Sequence, residues 1–262
     1  MNLEPLLRHI SENQTAGFIL VLARVTPLFL LAPIFSSRMV PARARGVAAV
    51  AIALGLAPLA LHGQKVPLDI AGLGGLVIKE LMVGLAYSFA VAAVFGAVSV
   101  AGSFIDTMVG FSFGSLIDPL TGNQSMVISQ VYTMVGLMVF IAIGGDAFMI
   151  EGVGRSYQLV PLLTYPSLGA LVGGAVHAFS SIFTTALELA APIIVAAIIT
   201  DTAFGLVARV VPQMNVFAVG FPAKIAISLL ILGISLPFAG GFIGNQLQDG
   251  VGGALQSLKA AM

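Results

Sequence analysis

No acidic or basic residue occurs between positions 81 and 105 of this chain, and none again between 119 and 145. The two stretches are joined through a short break, Gly110-Phe111-Ser112-Phe113-Gly114-Ser115-Leu116-Ile117-Asp118-Pro119-Leu120-Thr121-Gly122. Uncharged runs of this length belong to helices in an apolar solvent. Glycines and a proline end regular backbone at the break, while Phe111, Phe113 and Ile117 keep it oily. Irregular backbone at membrane depth is tolerated only inside protein or beside a water-filled cavity. The break therefore reads either as a re-entrant turn packed on helices or as the plug of a conduit.

The rest of the composition agrees with a lipid or apolar-protein surround. Of 262 residues, 58% are hydrophobic and 8% charged, against about 25% charged in a soluble domain. The formal net charge is zero, which leaves no electrostatic footprint for nucleic acid. The absence of cysteine removes disulfides and thiolate metal sites. The first sixteen residues are polar, with Glu4, Arg8, His9 and Glu12, unlike a cleavable signal peptide. Membrane entry is therefore expected through the internal apolar segments.

Six apolar regions of helical length can be drawn, at 17–35, 46–61, 73–105, 126–144, 168–211 and 225–247. Their lengths fit simple crossings poorly: one is short, two exceed a ~30 Å hydrocarbon core, and most carry proline. Hairpins paired inside an assembly would show these irregularities. Arg38, Arg43 and Arg45 in the first connection and Arg209 and Lys224 in the last place those connections in the cytoplasm by the positive-inside rule. Arg8, Lys65, Arg155 and Lys259 fall on the other side, so the bias is small. No internal repeat or linker is visible, and one integral domain over 1–262 is the simplest organisation.

Charges inside apolar segments are functional candidates by default. Arg24 lies in the first segment, where it also fits a snorkelling or inter-subunit contact. Lys79 and Glu80 are adjacent, which directs them to different faces of a helix, so each is expected to find its partner elsewhere rather than in the other. Asp201 and Arg209 share a broad face at helical spacing. Glu188 and Asp201 read as a proton relay or, preferably, as an ion pair or polar contact to a neighbouring subunit. Gly110 to Gly114 matches G-x-S-x-G, but a serine-hydrolase elbow needs a strand-to-helix turn, a histidine and an acid. Ser112 has helical flanks and no such partners in view. No nucleotide or metal motif appears, and neither a covalent reaction nor a cofactor is expected.

The run from Asp201 to Lys224 contains Arg209, Pro212, Gln213, Asn215, Phe217, Pro222 and Lys224 in the order R-x-x-P-Q-x-N-x-F-x-x-x-x-P-x-K. In physical terms this is a basic helix end, a proline-ended turn and a new helix after Pro222. It resembles the R subunits of type III protein export gates, the FliR/SctT family. Gly220-Phe221-Pro222 looks like the flagellar rather than the injectisome form. The resemblance extends through Ala23-Arg24, Pro27, Pro33, Pro41 and Arg43, and through Gln130 after the break.

The resemblance implies an all-α integral membrane subunit, kinked and packed as hairpins in a larger helical assembly. Its partners would be FliP-like and FliQ-like subunits, with FlhA-like and FlhB-like components completing a gate in the bacterial inner membrane at the flagellar basal body. Unfolded flagellar proteins would pass through the channel, driven by other components. On this basis Gly110, Phe111, Ser112, Phe113, Gly114, Ile117, Asp118, Pro119 and Gly122 form a plug, with 209–224 serving assembly or cytoplasmic-side gating. An injectisome subunit and a small-solute secondary transporter are the competing expectations.

Overall fold

In the computed structural model, residues 12–36, 40–111, 126–213 and 215–262 are described, except for the side chains at 34, 216 and 217. All of their regular structure is helical: α1 Glu12–Leu31, α2 Pro33–Ser36, α3 Ala42–Leu61, α4 Ile70–Val109, α5 Val127–Ala142, α6 Gly145–Leu159, α7 Leu168–Val210 and α8 Val216–Ala260. Five of these helices are long and apolar enough to cross a membrane, and the α5–α6 pair, bent by 70°, makes a sixth candidate. The chain is an all-α membrane protein.

Local chemistry sets the helix ends. Asp69 Oδ2 accepts from Gly72 N at 2.7 Å, capping α4. His62 and Gly63 take positive φ values of 41° and 74° where α3 stops, the left-handed exit that ends many helices. Gly144, at φ 66°, turns the chain between α5 and α6. Prolines remain inside α1, α3, α7 and α8. In α1 the hydroxyl of Thr26, beside Pro27, donates back to Leu22 O at 2.6 Å, the i−4 back-bonding that lets a threonine satisfy its hydroxyl within an apolar helix.

Three differences from the sequence reading follow from context. Pro222 lies within α8 rather than before it; α8 starts at Val216, and Asn215 Oδ1 caps it by accepting from Ala218 N at 3.1 Å. The whole of 168–210 is one continuous helix despite Pro192. α6 forms although Asp146, Glu151 and Arg155 dilute its apolar pattern, with Arg155 and Glu151 paired at 2.6 Å across one exposed turn.

The chain divides into two compact units. One comprises residues up to Ala93, Gly144–Phe179 and Gln248–Met262; the other comprises Val94–Ile143 and Ser180–Leu247. The divisions fall within α4, α7 and α8 and at the turn between α5 and α6. In the first unit α1 lies along α3, with Gly17 facing Leu61, and α6 meets α3 through Gly154, Leu56 and Leu59. Leu20, Val21, Val25, Leu28, Val83 and Met149 are among its buried core. In the second unit Phe95 and Phe140 pack with ring centroids 5.5 Å apart. Gly102 lets α4 approach α5 so closely that a Cβ there would stand 2.3 Å from Ser129 Cα.

Candidate functional site

The first unit holds a buried charge cluster. Arg24 on α1 and Glu80 on α4 are 1% and 0% exposed. Their contact is two-pronged, Nε to Oε2 at 2.5 Å and Nη2 to Oε1 at 2.9 Å, the fork geometry that favours arginine. Arg24 also donates to Ser156 Oγ at 3.1 Å and Val160 O at 2.8 Å, and its guanidinium carbon lies 4.0 Å from the centre of the Tyr157 ring. Lys79 Nζ donates to Pro161 O at 3.1 Å and Leu162 O at 2.8 Å, and also contacts Glu80 Oε1.

Two cations therefore share one carboxylate. The remaining positive charge faces carbonyls at and just beyond the C-terminal end of α6, where the helix dipole presents partial negative charge. Two sequence expectations change here. Lys79 and Glu80 do touch, because both side chains are long enough to converge on the α6 terminus from adjacent positions; each also has the distant partners expected of it. Arg24 neither snorkels nor faces another subunit: it is consumed inside its own chain. Ser156 and Tyr157, which complete this shell, had no distinguishing signal in the sequence.

The second unit brings together sequence-predicted residues that lie far apart in the chain. A cavity of about 390 Å³ is lined by Gly110, Asp201, Phe204, Gly220, Phe221 and Lys224, among others. Lys224 Nζ and Asp201 Oδ2 are paired at 2.6 Å. Asp201 therefore finds its cation on α8 rather than in Arg209. Gly220 faces Phe204, and a Cβ there would lie 3.1 Å from the ring. Gly110 ends α4 with φ 102°, its N–H donating to Asp106 O at 3.1 Å. Of the break, Gly110 and half-buried Phe111 are described. Ser112, Phe113, Gly114, Ile117, Asp118, Pro119 and Gly122 lie outside the described residues.

Arg209, Pro212, Gln213 and Asn215 are exposed, as is Glu188 midway along α7. The Phe217 side chain is outside the described set. Among the described residues no group of three or more histidines, aspartates and glutamates is placed to hold a metal ion.

One polar residue the sequence reading passed over is Asp106, fully buried near the end of α4. Its Oδ1 accepts from Ile128 N and its Oδ2 from Ser129 N, both at 3.0 Å. The first turn of α5, which has no side-chain cap at Met126, is thus capped from the preceding helix. Ser129 Oγ donates to Ser99 O at 2.9 Å beside the same contact. The two helices bracketing the break are fastened together at its base. Asp106→Ala should destabilise this junction by about 1–3 kcal/mol, the cost of orphaning buried backbone donors. Faster amide hydrogen exchange at 128–130, with Asp106→Asn intermediate, is the expected readout.

Residues 15–250 match the family model described as "Bacterial export proteins, family 1". The chain is 34% identical over 223 residues to the flagellar biosynthetic protein FliR of Bacillus subtilis, covering 82% of this chain and 84% of that one. It is 28% identical to FliR of Escherichia coli, covering 84% of each. It is also 28% identical to the surface presentation of antigens protein SpaR of Salmonella typhimurium, covering 86% of this chain and 83% of that one.

Proposed function

The chain belongs to the bacterial export proteins of family 1, and from that premise we propose that it is the R-type subunit of the flagellar export gate in the bacterial inner membrane. It is a membrane-embedded component of type III export. The finer reading makes it part of the channel for unfolded flagellar proteins, in a hetero-oligomer with P-like and Q-like subunits and in contact with FlhA-like and FlhB-like components. The 34% identity to the Bacillus FliR, against 28% to both the Escherichia FliR and the SpaR, supports the flagellar over the injectisome form.

The observation that carries the assembly reading is helix length combined with exposure. α7 has 43 residues and α8 has 45, about 64 and 68 Å at ~1.5 Å per residue. A bilayer hides about 30 Å. Yet large apolar side chains are exposed from Leu168 (56%) to Val210 (81%) at the two ends of α7. Lipid covers less than half of that length, which supports a surface met by other protein chains.

Within that reading, residues 110–122 plug the closed channel. Their oily, glycine-framed sequence supports the role, as does their starting point, Gly110, at the Asp201–Lys224 cavity. The first test is co-purification: the chain extracted in mild detergent should emerge bound to P-like and Q-like subunits. The second is conductance: deleting 113–119 should make membranes containing the assembled gate leak small ions. Unchanged conductance in a correctly assembled complex would remove the plug assignment.

A further inference from the structure

Glu188 sits on α7 about 30 Å from Leu168 and about 33 Å from Val210 at ~1.5 Å per residue. It is exposed, and so are its neighbours on the same face, Thr184, Leu187, Ala191, Pro192 and Val195. The opposite face, with Ala186, Leu189, Ala190, Ile193 and Ala197, is buried in the second unit. Among the described residues Glu188 has no hydrogen bond or ion pair. A single carboxylate thus stands in an otherwise uncharged patch, in a chain where Arg24, Lys79, Glu80, Asp201 and Lys224 all find partners internally.

An ionised carboxylate covered by apolar atoms is costly unless a cation meets it. A glutamate side chain is also too short to reach water from beneath a cover that spans Leu187 to Val195. Those two residues are about half exposed, at 52% and 53%, so whatever buries them passes over Glu188. Thr184 and Ala191 add little bulk beside it, which permits close approach of a second helix.

We propose that the Thr184–Leu187–Glu188–Ala191–Val195 face is a docking surface for an apolar helix of another gate subunit, which presents one lysine or arginine to Glu188. The inference rests on the gate-subunit reading and adds to it a specific face and a required charge. Breaking a covered ion pair from one side leaves the other charge buried and unpaired, so reversal is more damaging than neutralisation.

The test uses the full chain co-expressed with its P-like and Q-like subunits. Wild-type chain should yield the purified complex. Glu188→Lys should lower that yield by about tenfold or more, with Glu188→Gln intermediate. Replacing one lysine or arginine in an apolar segment of a partner by glutamate should restore assembly with Glu188→Lys, which a mere folding defect would not allow. Wild-type yield with Glu188→Lys would overturn the pairing and assign the residue to a lipid or water boundary. Full assembly but lost export with Glu188→Gln would overturn it in favour of proton handling. Failure of every charge-reversed partner to rescue would also overturn it. If even the wild-type chain emerges alone, the gate-subunit reading itself fails.

Discussion

Glu80→Ala should abolish stable accumulation of the chain. The substitution leaves Arg24 and Lys79, 1% and 5% exposed, without the carboxylate they share. Removing one partner of a buried charge group costs about 3–5 kcal/mol, a large fraction of the stability of an ordinary domain. The α6 carbonyls offset part of this through their hydrogen bonds to both cations but supply no full negative charge. Glu80→Gln keeps the shape and one acceptor oxygen, so its loss should be smaller. The triple replacement Arg24→Met, Lys79→Met, Glu80→Leu is the informative control, because buried ion groups exchanged together for apolar side chains are often tolerated. Quantitative blotting of membranes expressing each variant reads the order: wild type and triple variant above Glu80→Gln, and Glu80→Ala lowest. Equal accumulation of wild type and Glu80→Ala would show that the cluster does not hold α1, α4 and α6 together.

Gly84→Ala should destabilise the chain, although alanine is the better helix former. One turn after Glu80, a Cβ at position 84 would stand 2.3 Å from Arg24 O and 2.9 Å from Arg24 C. Both are backbone atoms and cannot rotate away. α1 must therefore shift, which also loosens the Arg24–Glu80 fork. Overpacking of this kind costs about 1–3 kcal/mol, and helix propensity returns only about 0.5–1 kcal/mol. Net destabilisation is expected, measured as a lower midpoint of thermal aggregation for the detergent-solubilised protein. Gly74→Ala is the matched control on the same helix, since nothing lies within 4 Å of its added Cβ. That variant should be neutral or slightly stabilising.

The helices were legible in the sequence because lipid-compatible composition and length determine them almost alone; α1, α3, α4, α5, α7 and α8 each contain most of a region drawn from apolar residues. α6 was not, since Asp146, Glu151 and Arg155 break the apolar run that was the signal. The start of α8 was misplaced because proline marks the first turn of a helix as readily as a break; here Asn215 is the cap. Charged residues were legible as candidates but not as pairs. Arg24 and Glu80 are 56 residues apart, and only the packing of α1 on α4 selects that pairing. Asp106 was missed for the opposite reason. Its meaning lies in backbone donors of α5, which carry no side-chain signature. The convergence of Gly110 with Asp201 and Lys224 on one cavity likewise needs tertiary structure.

The excess length of α7 and α8 also bears on the fate of the chain in the cell. A chain synthesised without enough companions leaves tens of ångströms of greasy helix outside the bilayer, an open invitation to aggregation and to membrane proteases. If the proposed assembly holds, its lifetime should then follow the supply of the proposed P-like and Q-like subunits. On the proposed gate-subunit reading, surplus copies should be removed by the same route, so that overexpressing the chain alone should shorten its lifetime.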